Sequence, residues 1–144
     1  MFFLYPENPL NTSQADEPYH EEFVAVRAAG LPCSLFDFDL LQFGEFNPHP
    51  KLIPGEQILY RGWMLNPQGY QTLVKQMEKR GAIPITPYGD YLRCHHLPGW
   101  YSKCAPYTAE TYFFKADDKL EQNIQALGWE HYFCLLYTSP SPRD

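Results

Sequence analysis

Two rhythms of apolar and polar residues alternate along the chain: short dense blocks, and longer stretches with apolar positions spaced by three and four. Phe2 to Tyr5 is a dense block closed by Pro6 and the polar run ENPLNTSQ, which predicts a buried first strand followed by a loop. A helix is predicted to begin near Asp16, where the carboxylate can cap, Pro18 fits the first turn, and Glu17, Glu21 and Glu22 complement the positive end of the helix dipole. Phe23, Val24 and Val26 lie along that helix, and Gly30 stops it. The stretch LPCSLFDF then predicts a largely buried second strand through Leu31, Cys33, Leu35 and Phe36.

Residues 37–57 resist a single rhythm, because Phe43 and Phe46 are scattered among prolines and glycines, and their structure is left open. Ile58 to Tyr60 predicts a third strand. Asn66 caps a second helix with Pro67 at its first position, and Tyr70, Leu73, Val74 and Met77 recur at i, i+3, i+4 and i+7. Gly81 ends it, and AIPIT (residues 82–86) predicts a fourth strand. A helical stretch through YLRCHH is expected to end before Leu97, followed by a loop, WYSKCAPYTAETYFF. A third clear helix, DDKLEQNIQAL, is capped by Asp117 or Asp118 and stopped by Gly128, and WEHYF begins something strand-like.

Strand, helix, strand, insertion, strand, helix, strand is the order of a mostly parallel α/β sheet covered by helices. Ligands in such sheets sit beyond the carboxyl ends of the strands. Here those ends are ENPL, DFD, RGW and TPYGD.

Composition narrows the class. The chain of 144 residues, 44% hydrophobic and 17% aromatic, has ample material for a core and suits one domain, or one domain plus the first piece of another. A net charge of −6 without a basic cluster disfavours nucleic acid as a partner. MFFLYP lacks a basic leader and is too short for a signal peptide, and no run approaches the ~20 apolar residues of a membrane span. A cytoplasmic protein with no membrane partner is the expectation. Of the four cysteines, Cys134 lies in the terminal stretch considered below, and Cys33, Cys94 and Cys104 form an odd, sparse set that suits reduced thiols.

The loop after the first strand has no glycine, so the dinucleotide fingerprint is missing although Asp37 and Asp39 stand where an acidic ribose ligand could lie. No Walker sequence is present. Arg61 follows a strand directly and precedes Gly62, so its guanidinium could grip a carboxylate or phosphate in the crevice, or could pair with a neighbouring Asp or Glu. Cys94, His95, His96 and Cys104 do not follow a usual zinc spacing, and no nucleophile elbow supports a Cys-His catalytic pair. Metal is not expected. Trp100, Tyr101, Tyr107, Tyr112, Phe113 and Phe114 could form a stacking surface, though packing of the loop across a domain junction is the expected role.

The final eleven residues, CLLYTSPSPRD, have no amphipathic period and no cap. They are identical to one translated frame of a transposase-type sequencing adapter. Residues 134–144 are therefore expected to be an artefactual, disordered tail on a gene cut near Phe133.

In ILYRGWML, the capped helix after it, AIPIT, YLRCHHLPGWY, TAET and the last helix with GWEHYF, the chain resembles ATP-grasp ligase-like proteins of bacteria and phages, in the clade named for two arginines and a lysine. The resemblance covers nearly all of residues 1–133. It implies a Rossmann-like pre-ATP-grasp domain with a mostly parallel sheet flanked by helices over 1–87, and a linker helix, loop and first elements of a truncated ATP-grasp domain over 88–133. It further implies a parent that uses ATP and magnesium to activate a carboxylate as an acyl phosphate and join it to an amine. Arg61 in YRGW and Arg93 in YLRCHH match the family arginines and are the implied substrate-binding residues, for a small-molecule or peptide substrate of the parent. The family's lysine stretch and magnesium-holding residues have no counterpart here. No catalytic residue, no resident cofactor and no ligase activity are therefore expected of this chain. The rival reading is a complete small α/β binding or interaction module whose partner docks at the RGW and TPYGD edge.

Overall fold

At the centre of a mixed five-stranded sheet lies β1 (Phe2–Asn8). In this computed structural model, which describes residues 1–95, 97–115 and 117–134, β3 (Cys33–Phe36) runs parallel to β1 with Phe3 opposite Cys33 and Tyr5 opposite Leu35. β4 (Gln57–Tyr60) runs parallel on the other side with Phe2 opposite Ile58, and β5 (Ile83–Pro84) pairs parallel to β4. β2 (Asn11–Ala15) folds back antiparallel on the end of β1. The connection through α1 (His20–Ala28) places β3 on one side of β1, and the chain then returns to place β4 on the other. The strand order thus reverses between β1 and β4, the place where an open α/β sheet forms a ligand crevice.

Alternation along β1 assigns its side chains to two cores. Phe2 and Leu4 join Ile58 and the face of α3 (Pro67–Lys79), whose Tyr70, Leu73, Val74 and Met77 are all buried. Phe3 and Tyr5 face the other way, against Phe23 and Val26 of α1 and Leu35 of β3. α3 forms as its caps dictate: Asn66 Oδ1 accepts the Gly69 N–H at 2.8 Å, Pro67 fills the first turn, and Gly81 leaves it at φ +76°.

The described residues fall into two compact units, residues 1–92 and those from Arg93 onward, with the boundary inside α4 (Tyr88–His95). The second unit contains α5 (Leu97–Cys104), a 3-10 turn at Ala105–Tyr107 and α6 (Leu120–Ala126). Tyr101 Oη accepts the Thr111 N–H at 2.9 Å, and the Tyr101 ring meets Phe113 edge-on. No residue of α6 is buried. No helix of the described residues is long and apolar enough to cross a membrane.

Several local expectations are corrected. ENPLNTSQ is not a plain loop: Asn8 Oδ1 accepts from Leu10 N and Asn11 N, closing a tight turn from which β2 runs back along β1. Leu31 lies outside β3 and is exposed. In the stretch left open, Asp37 caps a short helix, α2 (Phe38–Gln42), and Leu35 and His49 exchange backbone hydrogen bonds. The loop expected from Trp100 is helical through Cys104, because Pro98 falls at the second position of α5, where a missing N–H costs nothing. The α6 cap is Lys119, without a side-chain bond, although Asp117 Oδ1 accepts its N–H. Residues 129–133 are not a strand and pair with none of the strands of the described residues, so they lack the ladder a strand requires. The residues of the expected artefactual tail from Leu135 to Asp144, and His96, lie outside the described residues.

Candidate functional site

The carboxyl ends of β1 and β4 bring together a polar group that begins with the backbone of Arg61. Its N–H donates to Leu4 O at 2.8 Å and extends the ladder one residue past β4, which fixes the root of the side chain at the sheet edge. The guanidinium then turns to α1. Nε donates to Glu22 Oε1 at 2.7 Å and Nη2 donates to Glu22 Oε2 at 2.6 Å, a side-on bidentate pair. The buried Tyr5 phenol donates to the same Oε1 at 2.9 Å, so one carboxylate ties together β1, α1 and the end of β4.

These bonds shift the acids and bases consistently. The Arg61 hydrogen bonds hold the Glu22 carboxyl below its ordinary range, with help from Tyr5 and against a smaller opposing effect of burial. The same pair raises Arg61, and burial with the neighbouring Glu22 pushes the Tyr5 phenol up. The pair is not sealed: the Arg61 and Glu22 side chains are 47% and 36% exposed. Among the described residues, Arg61 Nη1 makes no hydrogen bond, so the end-on edge of the fork is open.

The rest of RGW is built to hold this edge. Trp63 Nε1 donates to Asp16 Oδ2 at 2.8 Å, and its indole meets the Tyr19 ring edge-on at 5.4 Å. Asp16 is 8% exposed, and its other oxygen accepts the Glu17 N–H at the start of the turn before α1. Tyr60 Oη donates back to Trp63 O at 2.7 Å, curling the loop over its own ring. Gly62 is required there, because a Cβ would come within 2.5 Å of Tyr60 Oη.

The ion-pair alternative for Arg61 is therefore present in the fold, and it leaves one donor edge available. Arg93, the second implied arginine, is exposed on α4 and belongs to the second unit. Asp37 Oδ1 accepts the N–H groups of Asp39 and Leu40 at 2.9 and 3.0 Å and so caps the start of α2. Cys94, His95 and Cys104 are exposed, and among the described residues no group of three or more His, Cys, Asp or Glu could hold a metal ion. The rings of Tyr112, Phe113 and Phe114 remain about half exposed while pairing with Trp129, Tyr101 and one another.

Glu22, Tyr5, Asp16 and Trp63 were not singled out by sequence as members of the site. Glu22 was read only for its effect on the helix dipole, and nothing in its spacing sets it above Glu21. The usable signal was Tyr5, since a phenol inside a buried strand needs a partner for its hydroxyl.

No family model, curated protein or solved structure matches this chain.

Proposed function

We propose that the chain is the substrate-binding, N-terminal part of an ATP-grasp ligase, with a Rossmann-like pre-ATP-grasp domain that receives a substrate carboxylate at Arg61. One observation supports this reading most directly: a guanidinium anchored at the β1–β4 reversal, held on one edge by Glu22 and open on the other. The site matches the role that the resemblance implies for Arg61. The carboxylates and the phenol of the group are committed to hydrogen bonds within it, so binding and orientation are the contribution assigned to it here; the chemistry, with ATP and magnesium, is assigned to a further part of the parent.

The test is to read the source DNA from within the codons for YRGWML across codon 133. Continuation into a lysine-bearing strand and magnesium-binding carboxylates is expected. A genuine stop after CLLYTSPSPRD would overturn the ligase reading, and Mg-ATP turnover by the purified chain would overturn the assignment of the chemistry to a further part of the parent.

A further inference from the structure

The turn that joins β1 to β2 carries a motif independent of Arg61. Asn11-Thr12-Ser13 has the N-x-[ST] spacing of an N-glycosylation acceptor, with Thr12 where a proline would forbid it. Asn8, Asn47, Asn66 and Asn123 lack the motif, the first three because proline comes next. Spacing alone is a weak signal, and the fold strengthens it. Asn11, Thr12 and Ser13 are all exposed, beside Leu10 at the tip of the hairpin, which is 98% exposed. Asn11 Oδ1 accepts the Ser13 hydroxyl at 2.8 Å and the Ser13 N–H at 3.3 Å. A backbone N–H can only donate, so the oxygen end of the carboxamide faces Ser13, and Nδ2 makes no hydrogen bond among the described residues. β2 pairs with β1 at Asn11 and Ala15, so Thr12, Ser13 and Gln14 between them have no partner residue in β1 and can follow a groove on an enzyme.

We propose that Asn11 is an N-glycosylation site, presented by the folded chain to a transferase whose donor is a sugar diphosphate. In the transfer the Nδ2 electron pair attacks the anomeric carbon, and the bond from that carbon to the diphosphate oxygen breaks. The diphosphate leaves with the bonding electrons, and a base of the transferase takes the proton that Nδ2 loses. Nothing is oxidised or reduced. The two bonds from Ser13 draw electron density toward Oδ1, which eases the loss of that proton. A sugar added here displaces no core side chain, because neither Asn11 nor Ser13 belongs to either hydrophobic cluster. The contact that must yield to the enzyme is an exposed one, between Thr12 O and His49 Nε2 at 2.9 Å.

The experiment incubates the intact folded chain with a soluble N-glycosyltransferase and UDP-glucose and, separately, with a membrane oligosaccharyltransferase and its lipid-diphosphate oligosaccharide. Mass spectrometry of the whole chain and of its peptides reads the product. One sugar group on Asn11 is expected in at least one reaction, and the reaction that gives it identifies the donor. Asn11→Gln and Ser13→Ala should each abolish the transfer, whereas Ser13→Thr, which keeps the hydroxyl, should retain it. A free peptide of residues 8–16 reports on the motif without the fold. Transfer to the peptide but not to the folded chain overturns the proposal, because the hairpin then withholds Asn11. Failure of both reactions with peptide and chain alike overturns it too, as does transfer that survives Asn11→Gln.

Discussion

The two units use the same aromatic-rich alphabet to different ends. In the first, Tyr70 and Tyr91 stack at 3.6 Å with both rings almost fully buried, and each hydroxyl has a backbone partner. In the second, Tyr112 and Phe114 also stack, at 6.2 Å, yet remain 49% and 39% exposed. The difference lies in layering. α3 sets four apolar residues on one face against a sheet, whereas α6, LEQNIQA, carries too few to make such a face. Ring pairing alone does not make a core.

The comparison is tested most severely by cavity formation. Leu73→Ala, at a position 0% exposed in the centre of the larger core, is expected to cost about 2–5 kcal/mol. Leu120→Ala in α6 should cost less than about 1 kcal/mol, since no residue of that helix is buried. Urea unfolding of both variants checks the contrast, and equal losses would show that the second unit is as tightly packed as the first.

How much of this was legible beforehand follows the same division. α3 could be read almost residue by residue, because its cap, its proline, its apolar period and its terminating glycine all act locally and agree. β2 could not: NTSQA has no strand rhythm and is extended only because β1 offers it a partner and Asn8 turns the chain back. Residues 129–133 show the converse, a strand-like composition without a ladder. At the site, Arg61 was visible from its place after a strand, but its partner was not. Glu22 lies 39 residues earlier, and only the tertiary fold makes the two neighbours.

Smaller effects are expected where the first unit uses polar atoms inside its core. Tyr91 Oη donates to Leu65 O at 2.7 Å and accepts Leu65 N–H at 2.9 Å, both in buried surroundings. Tyr91→Phe removes the partner of both the Leu65 N–H and the Leu65 carbonyl and should cost about 1–3 kcal/mol. Tyr107, 90% exposed, is the control, and Tyr107→Phe should change stability by less than about 0.5 kcal/mol. Gly62→Ala would be expected to cost about 1–3 kcal/mol, because Tyr60 must leave its bond to Trp63 to admit the methyl group. Thermal unfolding separates the three, and a neutral Gly62→Ala would mean that the RGW loop is free to rearrange.

The smallest effect concerns charge, and here two glutamates of the first unit should act with opposite sign. Glu22 is held below the ordinary value of 4.5, so its contribution is complete above that value and is lost as pH falls through the lower folded one. Both partners are more than one-third exposed, which limits the contribution to below about 1 kcal/mol. Glu7 is raised above the same ordinary value, chiefly by burial, with His49 at 3.4 Å offsetting part of the rise and Asp37 adding to it. Its ionised form is disfavoured in the fold, so acidification through its folded value increases stability. In urea titrations stepped from neutral pH downward, the Glu7 gain should come first and the Glu22 loss below it. Glu22→Gln should remove the loss and keep the gain, and Glu7→Gln should do the reverse. A Glu22→Gln chain whose acid limb matches that of the wild type would show that the carboxylate joining Tyr5 to Arg61 adds nothing to the stability of the fold.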